Sequence, residues 1–186
     1  MQQDIVTRNP ANGETIATLA STPLESIPKV FERAREAQAQ WGRLSVRDRA
    51  AKLLDLREAL LDDKVQVARL ISTENGKPLF EALANEIFPA LDLLTFYASR
   101  AHKILKPRKI PLGLMKHRRS RIEYHPLGVV AVISPWNYPF LLPIGEIAPI
   151  LAAGNAVIFK PSEITPLIGL KLQELIERAG LPDRKS

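Results

Sequence analysis

The chain of 186 residues contains no cysteine. That excludes disulfides, thiolate metal sites and any sulfhydryl nucleophile within it, and it suits a reducing compartment. Aromatic residues are scarce, at 6%. Leu, Ile, Val and Ala take their place. With 46% hydrophobic residues the chain is long enough for one domain with a real core, or a little more, so disorder is not the expected state. No cationic-then-apolar leader opens "MQQDIVTRNP", and Pro and Gly break the longest apolar runs short of a membrane span. A soluble cytoplasmic protein is the expectation.

Acidic residues are missing from one segment. Between Arg100 and Arg121 there are nine Lys or Arg and no Asp or Glu, which leaves 17 of the 26 basic residues to face all 20 acidic ones elsewhere. The net charge of +6 is therefore local. It reads first as a solvated helix end and an exposed arm. Nucleic-acid contact is the weaker reading, because no aromatic residue interrupts the run to stack on bases. His102, His117 and His125 have no second ligand at a metal-binding spacing, so no metal is assigned.

Ahead of the arm, helical periodicity dominates. After "NPANGE", whose Asn-Pro and Asn-Gly pairs mark turns beside short extended pieces such as Thr15–Leu19, three amphipathic helices are expected. The first spans about Leu24 to Trp41, with Ile27, Val30, Phe31, Ala34 and Ala37 in step. The second is capped by Ser45 and carries Val46, Ala50, Leu53, Leu56, Leu60, Val67, Leu70 and Ile71, ending at "ENGKP". The third carries Ala84, Ile87, Phe88, Leu91, Leu94, Thr95 and Ala98, and Pro89 inside it predicts a kink or a split.

Beyond the helices the period changes. Ser120, Ile122 and Tyr124 alternate with charged neighbours, as in a two-sided strand over Arg119–Tyr124. Val129–Ile133 and Ala156–Phe159 are continuous apolar runs, the pattern of strands buried on both faces. A helix over about Leu141–Ala153, stopped at Gly154, joins them into a right-handed βαβ unit. Both strands then end on one edge of the sheet, where "SPWN" and "KPSE" converge. Ligands of open α/β sheets bind outside that edge. Lys160 offers a cation, Glu163 an acceptor pair for a ribose diol, Asn137 an amide donor and Trp136 a flat wall. The G-x-G-x-x-G fingerprint is absent, so spacing alone favours a nucleotide only modestly over a structural unit.

The stretch "PLGVVAVISPWNYPFLLPIGEIAPILAAGNAVIFKPSEITP" resembles the NAD(P)-dependent aldehyde dehydrogenase superfamily in its PWNYP block and its "AAGNAVIFKPSE" block, with Ile150 where the family often has Ala. "NPANGE", "QAQWGRLSVRDRAAKLL" and "ENGKPLFEALANEI" share the resemblance, while Pro89 departs from the family's pattern. The implied fold is α/β: N-terminal strands and amphipathic helices (1–104), a basic arm strand (105–126) and the first βαβ of a Rossmann-like cofactor-binding domain (127–186), together an incomplete unit.

The resemblance also implies roles. Ile133, Ser134, Pro135 and Trp136 would line the dinucleotide site, Lys160 and Glu163 would hold the adenosine ribose with Ser162 beside them, and Asn137 would be the oxyanion donor. Glu163 would favour NAD, with NADP admitted, because a 2′-phosphate would meet its charge. The family's nucleophilic Cys, general-base Glu and second cofactor loop belong to regions beyond this one. The chain is therefore expected to bind cofactor weakly or not at all in isolation and to be catalytically incompetent alone. The alternative is an interaction or regulatory module joining a full-length relative, a separate C-terminal half or further copies of itself. A two-stranded parallel core is marginal by itself, so self-association is expected, with the Arg119–Tyr124 strand as a contact.

Overall fold

The computed structural model describes residues 4–114 and 117–182; Lys116 of the basic run and the outermost residues of the chain lie outside the described residues. The N-terminal strands β1 (Asp4–Arg8) and β2 (Thr15–Ala20) form an antiparallel hairpin. Its turn is held by Asx contacts: the Ala11 N–H donates to Asn9 Oδ1 at 2.9 Å and the Glu14 N–H to Asn12 Oδ1 at 3.0 Å.

A 3-10 turn over Leu24–Ser26 leads into α1 (Ile27–Trp41). The predicted apolar stripe is there, but only Trp41 is buried, and Ile27 and Phe31 stay exposed. Helix α2 (Val46–Asn75) opens on a capping box between Ser45 and Asp48 and closes on Gly76 in the left-handed conformation. This 30-residue helix is the spine of the molecule and packs against α4 and α6, defined below. Leu53, Leu56, Leu60, Val67 and Ile71 are completely or almost completely buried along it. Two carboxylates sit on that same stripe. One of them, Asp63, receives Lys171 at 2.8 Å and Arg178 at 2.7 Å, tying α2 to α6.

The third predicted helix is three pieces: α3 (Leu79–Ala82), a π turn (Leu83–Ile87) and α4 (Phe88–Ile104). Pro89 has no N–H to give to the carbonyl four residues back, and the wider turn before it, closed by the Phe88 N–H on the Leu83 carbonyl, absorbs the loss. The extra residue also rotates the face. Ala82, Ile87, Leu91, Leu94 and Ala98 are buried, whereas Phe88 and Thr95, expected on the stripe, point outward.

The arm is a short hairpin, β3 (Arg108–Ile110) with β4 (Ser120–Ile122), paired antiparallel. The predicted strand Arg119–Tyr124 is thus only three residues long. Beyond it Glu123 takes Arg121 at 2.7 Å. Then come β5 (Val129–Ile133), α5 (Leu141–Ala152), β6 (Ala156–Lys160) and α6 (Pro166–Arg178). The two strands are parallel in the register Val129↔Ala156 through Ile133↔Lys160, as the βαβ reading requires. They are not buried on both faces: only Val132 and Ala156 are buried, and Ile133 is 72% exposed. Each strand has a single neighbour among the described residues, so the outer edges of the pair carry no further strand, while α1 and α5 both pack on β5 and β6.

Residues of "QAQWGRLSVRDRA" close the other end of the unit. Trp41 Nε1 donates to the Leu151 carbonyl at 2.8 Å, Arg49 Nε to the Ala152 carbonyl at 3.0 Å and Gln38 Nε2 to the Gly154 carbonyl at 3.0 Å. Carbonyls at and just beyond the C-terminus of α5 are thereby satisfied, one by a cation where the helix dipole is negative. Among the described residues no helix is long and apolar enough to cross a membrane, and no cluster of His, Asp or Glu could hold a metal.

Candidate functional site

The register places the ends of β5 and β6 side by side. The Ser134 N–H donates to the Lys160 carbonyl at 3.2 Å, extending the ladder by one bond before the chains part. Ser134–Asn137 and Pro161–Glu163 therefore leave from one edge. Lys160 Nζ lies 3.0 Å from Glu163 Oε2, and both side chains are exposed. The Glu163 carboxyl is held below its ordinary range by its own backbone N–H and then by Lys160, which favours its carboxylate form.

The remaining predicted residues are placed as follows. Ile133, Pro135 and Trp136 are exposed. Ser134 is buried and its Oγ has no partner among the described residues, which leaves an unsatisfied hydroxyl at the end of β5. Ser162 is buried too, and its Oγ accepts the Ile164 N–H at 3.2 Å, bracing the loop that carries Glu163. Asn137 is exposed; the bond it makes is through its backbone carbonyl, and its side-chain amide donates to no described group. Trp136 and Glu163 share a cleft of about 460 Å³ with Thr7, Arg8, Glu74 and Asn75. A second, largely apolar groove of about 610 Å³ runs between α4 and α5, lined by Pro89, Leu93, Phe96, Leu141, Leu142 and Gly145, with Asp92 and Glu146 also on its walls.

Four residues that support both loops escaped the sequence reading, which took "ENGKP" for a helix stop. Glu74 Oε1 accepts from Thr7 Oγ1 at 3.0 Å and from the Leu167 N–H at 2.9 Å, and its Oε2 accepts the Ile168 N–H at 3.0 Å. It thus caps α6 and ties down the N-terminal hairpin. Asn75 Nδ2 donates to the Trp136 carbonyl at 2.9 Å. Gly76 then turns the chain at φ +80°, where a side chain would be strained and a Cβ would come within 2.8 Å of Pro10. Past that turn, Lys77 Nζ donates to the Asn137 carbonyl at 3.0 Å and pairs with Glu86, whose Oε2 accepts the Phe140 N–H at 2.9 Å and the Leu141 N–H at 3.3 Å. One signal was legible. Glu74 falls on the stripe Val67–Ile71 at helical spacing, and a charged residue on an apolar stripe needs a buried partner.

Burial pushes the Glu74 carboxyl above its ordinary value, and the three hydrogen bonds oppose that push without cancelling it. A carboxyl raised in the folded state contributes stability that is full below its unfolded pKa and is lost as pH rises through the folded one. The stability difference between the parent and Glu74→Gln is thus expected to favour the parent most at acid pH and to shift toward the variant as pH rises. Urea midpoints across a pH series measure it, and a difference that moves the other way contradicts the assignment.

Known proteins share the fold. The model of the aldehyde dehydrogenase family matches residues 1–184. An aldehyde dehydrogenase from Brucella melitensis biovar abortus 2308 is 32% identical, with a TM-score of 0.91 over 97% of this chain and 37% of its own. An NADP-dependent enzyme from E. coli gives 32% identity and a TM-score of 0.90 over the same shares, 97% and 37%. PnpE from Pseudomonas sp. WBC-3, in complex with nicotinamide adenine dinucleotide, gives 28% identity and 0.91 over 97% and 37%. The chain spans little more than a third of the length of these relatives. It is a member of the aldehyde dehydrogenase family, matched to it along nearly its whole length.

Proposed function

We propose that this chain contributes the cofactor-binding edge and the oxyanion amide to an NAD(P)-dependent oxidation of an aldehyde to a carboxylic acid, and that it does not turn over alone. The observation that supports this most is the parallel register, which brings Asn137 and the Lys160–Glu163 pair to one edge of one sheet. The residues fit a dinucleotide. Lys160 and Glu163 are exposed and can bind the hydroxyls of a ribose, the unpartnered Ser134 hydroxyl lies at the strand end, and Ile133, Pro135 and Trp136 offer apolar surface. When bound, the nicotinamide cofactor supplies the hydride acceptor. Glu163 disfavours a 2′-phosphate, which makes NAD the preferred form; the chain's solved relatives include an NADP-dependent enzyme and one holding NAD.

In the proposed reaction a thiolate from outside this chain adds to the aldehyde carbon, and the Asn137 amide donates to the oxygen as charge develops on it. A carboxylate, also from outside, activates the water that releases the acid. The apolar groove between α4 and α5 begins four residues after Asn137 and suits an aldehyde with an apolar body. A second reading, an association module, is supported by the uncovered apolar residues Phe80, Leu127 and Ile133 and by the open two-stranded sheets.

The purified chain is expected to yield no aldehyde-dependent NADH. Co-expression with the Cys-bearing C-terminal portion of a family member is expected to yield a soluble complex that does. Sustained turnover by the chain alone, lost on Asn137→Ala, overturns the reading, as does a soluble complex that is inactive with both cofactors.

A further inference from the structure

The segment from Trp136 to Leu141 is held at every residue but Pro139. The Trp136 carbonyl takes Asn75 and the Asn137 carbonyl takes Lys77. The Tyr138 ring lies under the same ammonium, whose Nζ is 4.1 Å from its centroid. Pro139 fixes its own φ and has no N–H to satisfy. The N–H groups of Phe140 and Leu141 donate to Glu86, whose side chain is 0% exposed and which pairs with Lys77. One ion pair, with Asn75 beside it, thus contacts five of the six residues of the loop.

We propose that Lys77 and Glu86 are positioning residues for the Asn137 amide. The inference rests on the reading of Asn137 as the oxyanion donor. The Asn137 side chain is exposed and no described group orients its amide, so its direction is inherited from the backbone that carries it. An oxyanion donor acts through preorganisation, and a donor on an untethered loop would lose most of its effect. The placement of the charges agrees with this role. Desolvating a carboxylate and an ammonium costs several kcal/mol per ion, and apolar residues of similar size are often no worse for stability. Here the remaining bonds of the pair all go to the loop. Glu86 is also at the N-terminus of α5, where the helix dipole favours its charge, and it is turned inward by the π turn that Pro89 imposes on the preceding helix.

The test is NMR on the uniformly ¹⁵N-labelled chain, comparing the parent with Lys77→Met, Lys77→Arg and Glu86→Gln. The Asn137 side-chain NH₂ signals report the amide, the exchange rates of the Phe140 and Leu141 N–H groups report the loop, and the amides of Val129–Ile133 control for the fold. In Lys77→Met and Glu86→Gln the Asn137 signals are expected to shift and broaden. Exchange at Phe140 and Leu141 is expected to accelerate by about tenfold or more relative to the control strand, the effect of losing a charge-assisted hydrogen bond. Lys77→Arg is expected to restore most of the parent pattern. Should Lys77→Met fail to fold, Glu86→Gln carries the test, because it keeps the shape while removing the charge and turning one of the two accepting oxygens into a donor. Unchanged Asn137 signals in a folded variant overturn the proposal, and so does uniform acceleration across loop and control strand, which marks a merely structural pair. The readout needs no turnover, so it is separate from a failure of the catalytic reading, which the kinetics of Asn137→Ala expose.

Discussion

In a complex of this chain with a Cys-bearing C-terminal portion, Asn137→Ala is expected to lower kcat by about 10²–10³, the effect of removing one preorganised oxyanion donor. The substitution is unusually clean here. The side chain is exposed and makes no described hydrogen bond, while the bond that anchors the residue runs from Lys77 to its backbone carbonyl, which alanine keeps. Stability should therefore change by no more than about 0.5 kcal/mol. An interaction made only as charge develops on the oxygen lowers kcat and kcat/KM together and leaves KM nearly unchanged. Steady-state kinetics on the purified complex decide it. A rise in KM with kcat intact would mean that Asn137 binds the substrate uniformly and does not select the transition state.

The fold was legible wherever a local rule determined the outcome. Ser45 and Gly76 bound α2 as a capping residue and a left-handed stop should, and the strand–helix–strand pattern between Val129 and Lys160 required a parallel pair. It was less legible where the outcome depended on what lies alongside. Continuous apolar strands read as buried on both faces, yet a strand is covered only if something packs on it, and Ile133 is bare. The stripe of α1 is equally regular and leaves Ile27 and Phe31 exposed for the same reason. Pro89 announced a disturbance, but a kink, a break and a π turn all satisfy a missing N–H. Only the π turn advances the face by a residue, which sends Phe88 outward and Glu86 inward.

The site divides along the same line. That Asn137, Lys160 and Glu163 gather at one edge follows from topology, since parallel strands end together. The support beneath them does not. Glu74 and Glu86 bond backbone groups 93 and 54 residues further along the chain, and no spacing rule reaches that far. Ser162 shows the limit of reading a polar cluster as a ligand set: its hydroxyl is used on the Ile164 N–H, inside the loop it belongs to.

The central claim is that the edge formed by β5 and β6 is a dinucleotide site, and the ¹⁵N-labelled chain titrated with NAD tests it most directly. Lys160 and Glu163 are exposed, joined to each other across 3.0 Å, and bonded to no other described side chain. Replacing both with alanine should leave the fold intact while removing the charged donor and the diol acceptor together. On the proposal that this chain supplies one side of the site, affinity in the millimolar range is expected. The account predicts shifts confined to Ile133–Trp136 and Lys160–Glu163, abolished in Lys160→Ala/Glu163→Ala. Tight binding that survives the double substitution, or shifts that leave this edge untouched, would contradict it.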